Sequence, residues 1–226
     1  MRRPDFSDYV AHFTRVSGTR CRWEQVPEER RHEAYGNLVS ILTPVLDAEP
    51  AKAVIRASNM PWTNKPAVAF TECPWWSLLD HASRYSPYGI GFTKAHLFAA
   101  GGGPAIYVRP DHNDKQQEHV QPMGPDAKGF HPHVHAFMTP FLPSYAPQGF
   151  KDRYPDIGVV DHSHEREWRV PHSVEFTLGQ VQFVVVDTYE DMARLRTPVK
   201  DGVGRGRFLI MDMYRKIEDL WPTHIV

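Results

Sequence analysis

Glu165, Glu167 and Arg169 alternate along Glu165-Arg166-Glu167-Trp168-Arg169-Val170, a stretch whose composition predicts a strand. Alternate residues of a strand share a face, so two carboxylates and a guanidinium would project together, with Arg166, Trp168 and Val170 opposite. A carboxylate held rigidly on a strand can orient a substrate hydroxyl or stabilise a developing oxocarbenium ion. The same alternation also suits a solvated edge strand, where charge blunts pairing with other chains.

His131-Pro132-His133-Val134-His135 and Asp161-His162-Ser163-His164 offer a second chemistry. On a strand, His131, His133 and His135 would put three imidazoles on one face, with Asp161 as an oxygen ligand, the donors of a zinc or iron site. Pro132 is poor for a central strand and residues 136–141 read as a helix packed on the core, which favours solvent-facing or loop histidines. Tyr85-Ser86-Pro87-Tyr88-Gly89-Ile90-Gly91-Phe92 joins an aromatic turn to a strand with two glycines. There a flat ligand could approach the backbone, unless the turn is simply packed. Gly101-Gly102-Gly103 follows a helix and precedes a strand, the reverse of a phosphate cradle, and reads as punctuation.

Short elements must position these groups. Residues 8–14, 51–57, 67–73, 88–93, 105–109, 165–170 and 181–187 read as strands, the last a near-continuous Val/Phe run suited to a buried central position. Helices are expected after Pro27, with Ala34, Leu38, Ile41, Leu42 and Val45 on one face, and after Pro74 to about residue 83. Further helices are expected over 94–100, after Thr188 as an N-cap, and over 209–220 with Leu209, Met213, Ile217 and Leu220 on one face. Residues 111–129 and 140–163 read as surface excursions. Twenty prolines exclude long helical bundles. The order of elements predicts an α+β fold, one domain over residues 1–226 with a bent or split mixed sheet flanked by short helices.

Composition narrows the function classes. Lys+Arg 26 against Asp+Glu 27 leaves no basic footprint, so any nucleic-acid acceptor would have to be met locally. Two cysteines, Cys21 and Cys73, build neither a disulfide framework nor a cysteine zinc site. Apolar runs far shorter than a membrane helix, and no apolar segment behind Met1-Arg2-Arg3, predict a cytoplasmic protein without membrane contact.

The order of His12-Phe13-Thr14, Asn37-Leu38-Val39-Ser40-Ile41-Leu42, Pro66-Ala67-Val68-Ala69-Phe70-Thr71-Glu72, Tyr88-Gly89-Ile90-Gly91-Phe92-Thr93-Lys94 and Glu165 to Val170 carries more than any one of them. It resembles the AbiGi-type abortive phage resistance family and, more distantly, the DarT-type ADP-ribosyltransferases, over about Asp8 to Asp187. The resemblance implies an ADP-ribosyltransferase-like fold with NAD as substrate. It points to Glu167 as the catalytic carboxylate, Glu165 completing a Glu-x-Glu pair, and Arg84 as the positional candidate for the family's arginine. His12 and Thr14 would lie on the bound NAD, and Tyr85 or Tyr88 could stack on nicotinamide. Phe70-Thr71-Glu72 belongs to the AbiGi-like pattern alone. Transfer of ADP-ribose in phage defence or a toxin–antitoxin pair is the leading expectation. A non-catalytic regulatory or antitoxin-like domain that binds a cognate protein is the second. A metal-dependent hydrolase or nuclease using His131, His133, His135 and Asp161 is the third.

Overall fold

Val10, Ala11 and Phe13 are buried, Tyr9 is exposed and His12 half-buried, so the first apolar stretch does fold as a strand. A computed structural model describes residues 7–19, 21–44, 49–72, 77–112, 114 and 132–220. In chain order its elements begin with β1 (Tyr9–Phe13), α1 (Glu28–Leu42), β2 (Ala53–Ile55), β3 (Ser58–Asn59), β4 (Pro66–Glu72), α2 (Leu78–Arg84), β5 (Gly89–Thr93) and α3 (Lys94–Ala99). Next come β6 (Gly103–Pro104), β7 (Ile106–Val108), α4 (Pro132–Phe137), β8 (Met138–Pro140), α5 (Gln148–Arg153), β9 (Glu167–Val170) and β10 (Val174–Phe176). The last are β11 (Phe183–Val186), α6 (Tyr189–Arg194), α7 (Thr197–Val203), β12 (Phe208–Ile210) and α8 (Met211–Leu220). The fold is α+β, and no helix among the described residues is long and apolar enough to cross a membrane.

The chain forms two compact units, interleaved along the sequence. The first holds Met1–Ile55, Phe70–Leu97 and Val174–Val226. Its sheet runs β12-β11-β5-β1-β4, with β11 and β12 parallel and the other neighbours antiparallel. All four residues of β11 are buried, as a Val/Phe run flanked on both edges requires. Alternation places Ala11, Phe13, Phe183 and Val185 together, packed with Leu78, Ala82 and Met211. α1 buries Ala34, Leu38 and Leu42, which recur every four residues along one helical face. β2 and β10 pair antiparallel in the same unit.

The second unit holds Arg56–Ala69 and Phe98–Ser173. β3 pairs with the start of β4, β6 pairs antiparallel with β9, and β7 runs parallel to β8. The expected excursion over 140–163 contains α5, and an isolated bridge joins Leu142 to Val160.

Three expectations shift register or type. The helix expected over 136–141 ends at Phe137, and Met138–Pro140 is strand because β7 supplies a ladder for it. The helix expected from Leu209 starts at Met211, since Phe208–Ile210 pairs with β11. Met213, Ile217 and Leu220 do recur along α8, yet they are exposed and Met211 is the buried residue. The strand expected from Glu165 starts at Glu167; Glu165 lies in a 3-10 turn, and Arg166 after it takes the left-handed conformation at φ 44°.

Candidate functional site: the Glu165–Arg169 turn

β9 begins where the left-handed Arg166 reverses the chain out of the Ser163–Glu165 turn. A non-glycine residue there is uncommon and costs on the order of 1 kcal/mol, so the surrounding contacts must hold it. Arg169, on the same face of β9 as Glu167, donates from Nε to Glu167 Oε1 at 2.7 Å and from Nη2 to Oε2 at 3.1 Å. Its third nitrogen, Nη1, donates to the carbonyls of Ala136 at 3.1 Å and Met138 at 2.8 Å. Arg169 is only 5 % exposed, and a cation so buried requires this kind of full pairing. The fork fixes the Glu167 carboxylate in one plane and leaves each oxygen a further lone pair.

Glu165 is buried as well, with Oε1 at 3.5 Å from His162 Nδ1 and 3.9 Å from His164 Nε2. The backbone of this turn is pinned by Tyr107, whose hydroxyl donates to the His162 carbonyl at 2.6 Å. Burial, and then the charge of Glu167, push the Tyr107 phenol well above the ordinary tyrosine range, so it stays a donor. Asp161 accepts from the Ser163 hydroxyl at 2.7 Å, and that bond holds its carboxyl below the usual range. Glu165, Glu167, Arg169, Tyr107 and the two histidines thus converge within the second unit.

The other expected residues lie in the first unit. His12 is half-buried on β1, its ring edge-on to Phe70 at 5.8 Å. Thr14 is buried, and its hydroxyl lies 2.9 Å from the Ala34 carbonyl and 3.2 Å from that of Tyr88, with Ser86 Oγ at 3.3 Å. A hydroxyl committed to the chain's own carbonyls explains Thr14 as a tie between β1, α1 and the turn before β5. Tyr88 is buried too: its hydroxyl donates to Asp191 Oδ2 at 3.0 Å and its ring meets Tyr35 at 5.6 Å and Trp23 at 6.1 Å. Burial and the Asp191 charge raise its phenol above the ordinary range. Tyr85 stacks on Phe13 at 6.1 Å, with the Arg15 guanidinium 4.0 Å from its ring centre. Arg84 donates to Asp80 at 2.8 Å, one turn back on α2, a partly exposed helix-surface pair.

Two expectations are corrected here. The flat groups over the Gly89 and Gly91 backbone are the chain's own, since a Cβ at Gly91 would sit 2.3 Å from the Phe183 ring and one at Gly89 3.0 Å from Phe13. The strand that would have aligned alternate histidines is instead the helix α4; His131 lies outside the described residues, and among those described no group of three or more His, Cys, Asp or Glu could hold a metal.

Tyr107 was not among the expected site residues, and 55 residues from the turn it serves it leaves no local trace. Arg169 was legible only as a neighbour on a shared face; the pattern Glu-x-Arg on a strand was its signal. Protein-family models, curated proteins and solved structures include no match to this chain.

Proposed function

We propose that the chain transfers ADP-ribose from NAD, with Glu167 as the carboxylate that meets the reacting ribose. The observation that carries the reading is the two-pronged grip of Arg169 on Glu167 at 2.7 and 3.1 Å, with the buried Glu165 two residues away. A planar carboxylate immobilised in this way can accept the ribose 2′-hydroxyl and face the positive charge that grows at C1′. The bond between nicotinamide N1 and ribose C1′ breaks and its electron pair leaves with nicotinamide, which becomes neutral. An acceptor oxygen or nitrogen then bonds to C1′ and releases its proton to solvent; with water as acceptor the product is free ADP-ribose. The order of motifs from His12 to Val170, which resembles abortive phage resistance proteins, supports a role in phage defence or a toxin–antitoxin pair.

The test is calorimetric titration of NAD into the wild-type chain and Glu167→Gln, with nicotinamide release followed by chromatography. Saturable binding by the wild-type chain, and release slowed roughly a hundredfold in Glu167→Gln, is the expected result. A well-folded wild-type chain that takes up no NAD sinks the proposal.

A further inference from the structure

Arg169 spends its donors on two partners that are distant in sequence: the Glu167 carboxylate, and the main-chain carbonyls of Ala136 and Met138. Ala136 is in α4 and Met138 opens β8, so the guanidinium spans the point where helix turns into strand. Phe137, between them, closes α4, and carbonyls at a helix end lack helical partners. Arg169, a buried residue, supplies donors there and to the carboxylate with one rigid, planar group. An ammonium could not reproduce this, because its three hydrogens lie on one nitrogen and cannot bridge both sites.

We infer that Arg169 is a positioning residue: it sets the Glu167 carboxylate by the place of the α4–β8 junction, so that the geometry of the transfer step depends on that junction. This rests on the transfer reading above. The two sides of the tie are coupled, and loosening one must loosen the other. Tyr107 assists from behind, since its hydroxyl holds the His162 carbonyl and the Glu167 main chain also approaches it.

The test compares Arg169→Lys, Glu167→Gln and the double variant in nicotinamide release, with hydrogen exchange as a readout free of turnover. Arg169→Lys keeps the charge and loses the fork: KM for NAD is expected within about threefold of wild type while kcat falls about tenfold or more. The double variant should be no slower than Glu167→Gln alone, because Arg169 acts through Glu167. In Glu167→Ala, amides of residues 136–139 should exchange faster than in wild type, a readout that does not need Arg169→Lys to fold. An unchanged kcat in Arg169→Lys, losses that multiply in the double variant, or unaltered exchange at 136–139 each overturn the positioning role. A wild-type chain that releases no nicotinamide overturns the transfer reading itself, and is told apart from these because it precedes any comparison of variants.

Discussion

The same substitution has opposite effects at two glycines, and the reason is local geometry alone. Gly91 lies in β5 under the Phe183 ring, where a Cβ would come within 2.3 Å of two ring carbons. Gly91→Ala must displace a ring belonging to the core around Val185 and Met211, and we expect a loss of about 1–3 kcal/mol. Gly36, inside α1, has nothing within 4 Å of its Cβ position and no positive φ. Gly36→Ala should therefore stabilise by about 0.5–1 kcal/mol through helix propensity. Urea midpoints of the two variants against wild type check the pair, and a Gly91→Ala chain as stable as wild type contradicts the packing given for β5. Gly91 was legible as a special position; that its neighbour is the chain's own Phe183 was not, because β5 and β11 are paired only by the fold.

At the scale of elements, α6 shows how a legible cap acquires an illegible partner. Thr188 Oγ1 at its N-cap accepts from the Asp191 amide at 3.2 Å, and Asp191 Oδ2 accepts in return from the Thr188 amide at 3.3 Å. The same oxygen also receives the Tyr88 hydroxyl, so this cap fastens α6 to the turn before β5. Thr188→Ala is expected to cost about 1 kcal/mol. Asp191→Ala should cost more, about 2–4 kcal/mol, since it also strands a buried phenol. Thermal melts of both variants decide the order, and equal losses would remove the Tyr88 bond from the account. The cap itself, like β1, β4, β5 and α3, could be read to within a residue or two because propensity and periodicity agree there, whereas α1 ends at Leu42 and Val45, expected on its face, lies outside the described residues. The errors fall where a strand partner outweighs a helical pattern, at Met138–Pro140 and Phe208–Ile210. Glu165 failed for another reason: nothing local says that Arg166 turns left-handed, and the bonds on either side of it, at the His162 carbonyl and the Glu167 carboxylate, are made by the fold.

For the whole molecule, acid should be the weak side. His96 stacks on Phe92 at 5.3 Å, its Nε2 is buried without a hydrogen-bond partner, and burial lowers its pKa from the ordinary 6.5. The unfolded chain then binds that proton more readily than the fold does, so the contribution of His96 is complete above about pH 6.5 and is lost as pH falls through the folded value. Denaturation measured between neutral and mildly acid pH should show stability falling on the acid side, and His96→Phe should flatten that fall; an unchanged slope rules out His96 as its source. The interleaving of the two units bears on how the chain is made. β5 is complete long before β11, its neighbour in the finished sheet, leaves the ribosome. Until then the β5 edge carries unpaired amides and carbonyls beside Phe92 and Ile90, the kind of edge that recruits strands from other chains. A message broken between Thr93 and Phe183 would release that edge for good, so such truncated products are a burden for chaperones and proteases rather than shortened versions of the protein.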